Sequence, residues 1–364
     1  MHLSATDPIS ADFRARIDVQ IETFLSAMTD RLRPVSPLLT TLTAVAADLS
    51  RGGKRIRPAF AYWGYVAASG EAEVPDALWP AISAIELLHV GVLMHDDVLD
   101  AADTRRGRPS AHRQFETWHR ERHGQGDAAE FGRAMAVLLG DQLLVWSGEL
   151  AEYADLPEDA WRAARPYWHK VRTEVNSGQV LDVCAQYGIH ADVHPDLAVV
   201  AARVLEEKTS RYTVQRPVQF GAAAAGGDAE LLAALGRYGL ALGRAFQLRD
   251  DLLGVFASEQ QTGKPAAGDV REGKRTVLMA KTLARLNDLD RGELEAMLGR
   301  SDLDSTQVDR ARTLIEGSGA VAEVEETISQ DHAAALAALN QTPLREPGRV
   351  ALIELARQCV QRDN

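Results

Sequence analysis

The 364-residue chain predicts an all-α protein, and three observations carry that expectation. Apolar residues recur at helical spacing through most of the sequence. Alanine and leucine, both strong helix formers, dominate those stretches. Alternating runs of β-branched residues are nearly absent. In chain order, AISAIELLHVGVLMHDDVLD (81–100) follows Pro80, which suits a first helical turn. AMAVLLGDQLLVWSGELAEY (134–153) and the segments 198–225, 229–254 and 275–287 show the same periodicity. Breakers fall at RGGKRIRP (51–58), RRGRP (105–109), RHGQGD (122–127), AGGD (225–228) and TGKPAAGD (262–269). The polar, glycine-containing segment 116–130 reads as a surface loop or lid. No repeat of fixed period is present, which argues against a solenoid.

Composition narrows the function classes. Hydrophobic residues make up 46% and charged residues 25%, ordinary for a soluble globular protein. Length alone suggests two or three domains. A formal charge of −12 argues against nucleic-acid binding, so an anionic substrate would need local cations or metal ions. Cys184 and Cys359 form no CxxC pair, so neither a zinc site nor a disulfide framework is expected. The N-terminal stretch has no apolar core of a signal peptide. No run is expected to reach the roughly 18 apolar residues of a membrane span, and a cytoplasmic location follows as the default.

Acidic residues are common, yet only two Asp-Asp pairs occur, in HDDVLD (95–100) and RDDLLG (249–254). Each stands in a long apolar helical stretch. Asp96 and Asp100 are four apart and share a face, where like charges repel unless a cation lies between them. Mg²⁺ suits that role, because it takes one or two carboxylates, waters and substrate phosphate oxygens. The cations agree. Only six of the 40 basic residues are lysines, and four of these stand by breakers or helix ends, in GGKRIRP, EEKTSRY, TGKP and EGKRT. Lysine meets phosphate as a point charge, arginine as a fork. None of the Gly-Lys dipeptides fits a nucleotide P-loop.

GGKRIRP, ELLHVGVLMHDDVLDAADTRRGRP, LLGDQLL, GQVLD, EEKTSRY, FQLRDDLLG and TGKPAAGDVREGKRT resemble, in order, the motif series of trans-isoprenyl diphosphate synthases. The resemblance runs from about residue 50 to 280 and is strongest to the bacterial geranylgeranyl type. It implies one all-helical domain, residues 1–364, around a deep central cavity, usually as a homodimer. It also implies a reaction between an allylic diphosphate and isopentenyl diphosphate, by ionisation, condensation and proton loss.

The resemblance further implies residue roles. Asp96, Asp97 and Asp100, with Asp250 and Asp251 from a second wall, would hold three Mg²⁺ ions on the allylic diphosphate. Arg105, Lys208, Lys264 and Lys274 would bind that diphosphate directly. Lys54, Arg57, His89 and Arg106 would form a separate, metal-free isopentenyl diphosphate site. Thr209 and Gln247 would stabilise the carbocation with oxygen dipoles, with Lys208 beside them. Gln179 and Asp182 would support the site.

Gly91 and Val92 lie five and four residues before Asp96, where a bulky aromatic would block product growth. By the same resemblance their small size implies a geranylgeranyl product, with a longer-chain or farnesyl product as the alternative, and Gly91→Phe should shorten it. One departure stands out. Gly254 occupies the place of the usual third aspartate of the second motif, and restoring it by Gly254→Asp should lower the Mg²⁺ requirement. A class I terpene cyclase and a catalytically silent partner subunit are the rival readings.

Overall fold

The computed structural model describes residues 3–71, 73–258 and 266–361, with Asp192 as backbone alone. The architecture is all-α, apart from one two-stranded ribbon. The chain clusters into two compact units, Met1–Tyr62 with Glu71–Trp161 and Trp63–Gly70 with Arg162–Asn364.

The first unit contains α1 (Ala11–Leu32), α2 (Thr40–Ser50), the start of α3 (Ile56–Ser69) and α4 (Leu78–Leu99). There follow the ribbon β1 (Thr104–Arg105) and β2 (Arg108–Pro109), then α5 (Ala111–Glu121) and α6 (Ala128–Glu152). Local chemistry starts these helices. Ser10 accepts a hydrogen bond from Phe13 N, and Asp127 accepts one from Glu130 N, each occupying an otherwise orphaned helix donor. Phe13, Tyr62 and Trp79 pack together with ring centroids 5.1–5.9 Å apart.

The second unit begins with the rest of α3 and then α7 (Glu158–Gln186) and α8 (Leu197–Val204). A π-helical segment, Leu205–Gln215, leads into α9 (Arg216–Ala224) and α10 (Ala229–Phe256). The remainder is α11 (Gly268–Glu272), α12 (Val277–Arg285), α13 (Asp288–Met297), α14 (Ser305–Gly317), α15 (Ala320–Asn340) and α16 (Gly348–Val360). Asp228, Thr276 and Asn287 cap α10, α12 and α13, and Asp304 with Gln307 forms a capping box on α14. The core of this unit runs through Leu248, Leu252, Val270, Leu278, Leu294, Ile315 and Val324.

Three expectations change. The helix expected over 198–225 is interrupted by the π segment, where Arg216 N bonds Arg211 O, five residues back. The surface loop expected at 116–130 shrinks to residues 122–127, because α5 continues to Glu121 and α6 starts at Ala128. Polar composition misled there: Glu116 and His119 are buried, and Trp118 stacks on Phe131 at 5.8 Å. Two helices also reach spanning length and apolarity, α4 with mean hydropathy 1.4 and α6 with 1.2. The α4 window is 72% buried within the protein, and α4 packs along α6, so its apolarity serves a core. Cys184 and Cys359 are free thiols, as expected.

Candidate functional site

In the first unit the site is built along α4. His89 and Asp96 are seven residues apart, about two turns, which keeps them near one face. The stretch after α4 turns back through a tight hairpin whose central residues, Arg106 (φ 53°) and Gly107 (φ 72°), are both left-handed. Two left-handed residues match the twist of paired strands in a two-residue turn. The hairpin sends its adjacent arginines in different directions. Arg105 Nε donates to Asp97 Oδ1 at 2.8 Å, its Nη2 donates to the same oxygen, and Asp96 Oδ2 lies 3.6 Å away. Arg106 Nη1 reaches the carbonyls of Leu49 at 3.3 Å and Arg51 at 3.2 Å.

Asp97 is completely buried, so its charge depends on Arg105. Asp97, expected beside a metal, therefore also fixes Arg105, the arginine expected to bind a diphosphate. Asp100 caps α4, its N–H bonding Asp96 O at 2.8 Å, and its charge also bears on Arg105.

The second cationic group is denser than expected. Burial, and then the guanidiniums of Arg57, Arg106, Arg105 and Arg55, hold the His89 imidazole well below its usual pKa. His89 is thus neutral in a field of four arginines, and Lys54 is exposed at the edge of the preceding loop. Sequence reasoning missed what supports this group. Arg55 is 2% exposed, donates from Nη1 to Glu86 Oε1 at 2.7 Å and from Nε to Asp18 Oδ1 at 2.8 Å, and is a left-handed residue at φ 56°. A Cβ on Gly53 would lie 2.6 Å from Arg55 Nη1, 2.9 Å from Glu86 Oε1 and 3.1 Å from Arg106 Nη2, so a larger residue would displace these charged ends. The weak signal was Glu86 itself, a lone acid in an apolar run three residues before His89.

Gly91 differs from expectation. A Cβ on it would stand 3.0 Å from Leu143 Cβ and 3.3 Å from Leu144 Cδ2, both on α6. Position 91 is a helix-packing contact rather than an open wall, and phenylalanine there would push α6 away. Val92 is half-buried beside it.

In the second unit, Lys208 and Thr209 lie in the π segment and are half-buried. Lys208 Nζ contacts Asp182 Oδ2 at 2.6 Å. Glycines let this wide segment approach its neighbours. A Cβ on Gly178 of α7 would lie 2.5 Å from Lys208 Cα, and one on Gly243 of α10 would lie 2.5 Å from Ser210 Cα. On α10, Gln247 Nε2 donates to Asp251 Oδ1 at 2.7 Å. Asp251 is 3% exposed, and its carboxyl is pushed well above the usual range, by burial first and then by Asp269. The Gln247 hydrogen bond opposes that shift, and Asp250 adds to it. Lys274 follows α11 and lies 3.2 Å from Glu272. Lys264 falls outside the described residues.

The donor sets fit a hard cation. They consist of carboxylate oxygens, crowded enough that one resists ionising without positive charge nearby. Among the described residues no group of three or more His, Cys, Asp and Glu side chains could hold a metal ion by itself.

An all-α scaffold bearing aspartate groups and a separate arginine group defines a protein that handles diphosphates. Residues 40–315 match the family model for polyprenyl synthetases. The fold is similar to the crystal structure of geranylgeranyl pyrophosphate synthase from Corynebacterium glutamicum complexed with isoprenyl diphosphate and magnesium. The TM-score is 0.90 at 35% identity, over 99% of this chain and 100% of that one. Short chain isoprenyl diphosphate synthase of Methanothermobacter thermautotrophicus is 30% identical, over 80% of this chain and 81% of that protein. Nonaprenyl diphosphate synthase of Mycobacterium tuberculosis is also 30% identical, over 85% and 83%. The chain belongs to the polyprenyl synthetase family and is, like its relatives, a prenyl-transferring enzyme.

Proposed function

We propose that the chain joins an allylic diphosphate to isopentenyl diphosphate and releases geranylgeranyl diphosphate. One observation carries this reading: neutral His89 lies among four arginines on the same helix that bears Asp96 and Asp97. An enzyme that only ionises one diphosphate has no use for a second, metal-free anion site. Lys54, Arg57, His89 and Arg106 bind isopentenyl diphosphate, His89 as a neutral donor that adds no charge of its own. Arg105, Lys208, Lys264 and Lys274 bind the allylic diphosphate. Asp96, Asp97, Asp100, Asp250 and Asp251 would hold Mg²⁺, which supplies Lewis-acid stabilisation of the departing diphosphate.

The allylic C–O bond breaks, the isopentenyl double bond attacks the resulting cation, and the proton lost goes to the released diphosphate. Thr209 and Gln247 face the cation with oxygen dipoles. The Gln247 amide nitrogen is committed to Asp251, so its carbonyl oxygen is the end available for this task. Geranylgeranyl pyrophosphate synthase of Corynebacterium glutamicum, similar in fold at a TM-score of 0.90, supports a geranylgeranyl product, with longer chains the alternative. A homodimer and a cytoplasmic location belong to the same reading. Val137, Leu138 and Val145 form an exposed apolar face on α6, and two free thiols suit a reducing compartment.

Purified protein incubated with Mg²⁺, labelled isopentenyl diphosphate and dimethylallyl, geranyl or farnesyl diphosphate should elongate each primer to a 20-carbon product. Chelation should stop the reaction. Hydrocarbon formed without isopentenyl diphosphate would identify a cyclase, and no turnover with any primer would identify a silent subunit.

A further inference from the structure

The last turns of α7 meet both lysine-bearing segments of the second unit. Gly178, Asp182 and Gln186 follow one another at four-residue steps and share one face of that helix. Gly178 lets the backbone at Lys208 approach, and Asp182 Oδ2 meets the Lys208 ammonium at 2.6 Å. One turn further on, Gln186 Nε2 donates to the Glu272 carbonyl at 2.6 Å, although the two residues are 86 apart in sequence. A carbonyl can only accept, so the nitrogen end of the amide must face it.

Glu272 is the last residue of α11, where carbonyls lose their partners within the helix. A helix of five residues does not place itself, so contacts with its surroundings decide where it lies. Residues further along the chain hold one side of it. Gly299 N bonds Val270 O at 2.9 Å, and Arg271 of α11 donates to Ser301 O at 2.8 Å. Gln186, half-buried at the end of α7, holds it from another element. Gly273 then leaves α11 in the left-handed region at φ 71°, and Lys274 follows at once, its N bonding Asp269 O at 2.9 Å. The start of the Lys274 side chain is therefore set by the turn that Gln186 grips.

We infer that Gln186 is a positioning residue for Lys274, and that one face of α7 sets the spacing between the two lysines. Asp182 holds Lys208 directly, and Gln186 holds Lys274 through the Glu272 carbonyl. This rests on the proposal that both lysines bind the allylic diphosphate. Two ammonium groups grip one diphosphate best at a fixed separation, and supports on a single rigid helix preserve it. Position 186 lies four residues beyond the end of GQVLD, outside the motifs that carry the family resemblance.

Steady-state kinetics with geranyl diphosphate as primer test this. Gln186→Met keeps the side-chain length and removes the donor. It should raise the KM for the primer about 3- to 10-fold, the weight of one neutral hydrogen bond, and leave the KM for isopentenyl diphosphate unchanged. Gln186→Glu, which turns an acceptor toward the carbonyl, should raise the primer KM at least as much. In a Lys274→Met background, Gln186→Met should add no further rise, because the lysine it places is gone. A merely structural role would lower the melting temperature or kcat without separating the two substrates, and its effect would persist in that background. An unchanged primer KM in Gln186→Met, an equal rise for both substrates, or an undiminished rise beside Lys274→Met overturns the inference. Lys274→Met alone separates the two levels. If it leaves the primer KM unchanged, the reading of Lys274 as a diphosphate ligand fails; if it raises that KM while Gln186→Met does not, only the role of Gln186 fails.

Discussion

Replacing Glu86 with glutamine should destabilise the protein far more than replacing Asp18 with asparagine, although both acids pair with the same arginine. Arg55 ties three elements of the first unit together. Its guanidinium reaches Glu86 on α4, Asp18 on α1, and the Ser50 carbonyl at the end of α2, at 2.5–2.8 Å. The two acids differ in exposure: the Glu86 side chain is 2% exposed and that of Asp18 is 41%. Breaking a buried pair leaves an uncompensated charge in low dielectric and costs about 3–5 kcal/mol. Asp18 remains on the other side of Arg55 and the glutamine oxygen can still accept, so the expected loss for Glu86→Gln lies near about 3 kcal/mol. Asp18→Asn removes a charge that water already screens, and should cost about 1 kcal/mol or less.

The gap of about 2 kcal/mol is a factor of roughly 30 in the folding equilibrium. It should appear as a clear separation of urea midpoints, at equal slope, in unfolding followed by tryptophan fluorescence. Equal midpoints for the two variants would show that the Arg55 charge is balanced elsewhere, and the argument would fall.

Further outcomes follow from the same geometry. His89 is held neutral, with its folded pKa below the ordinary 6.5, so the unfolded chain takes up a proton that the folded chain resists. Stability should therefore fall as pH drops below about 6.5, and His89→Asn should flatten that slope in urea titrations at pH 5.5 and 7.5. A bound diphosphate offsets the arginines and raises that pKa, so binding near pH 6 should take up protons; calorimetry in buffers of different ionisation heat would detect it, and zero uptake would contradict it. Gly178→Ala places a methyl against the Lys208 backbone and should cost about 1–3 kcal/mol. It should lower kcat while leaving the KM for isopentenyl diphosphate unchanged; wild-type kcat would show that Lys208 does not depend on this contact. Leu138→Glu with Val145→Glu should convert a dimer to a monomer in light scattering, and an unchanged mass would remove α6 as the interface.

Much of the helical pattern could be read from periodicity and caps, since Asp, Ser, Thr and Asn stand where helices begin. The π segment could not. Its origin is tertiary: glycines on α7 and α10 let the widened turns approach closely, and nothing within EEKTSRYTVQ announces it. The basic residues of GGKRIRP read as a candidate anion site in the sequence, but their division of labour is not legible there. Arg55 and Arg57 differ only by position along the chain, and the buried acid that claims Arg55 lies 31 residues further on. Gly91 shows the converse error. Counting back from Asp96 placed it near a product channel, whereas its missing side chain is what lets α4 lie against Leu143 of α6.

The two glycines that mattered most, at 91 and 254, were both read as something removed, a wall in one case and a charge in the other. In each the structure puts another residue into the space: Leu143 beside Gly91 and Asp269 beside Gly254. A motif records which position carries a carboxylate. Comparing a chain with a motif shows where it departs from the pattern, and the neighbours of that position show what the departure makes room for.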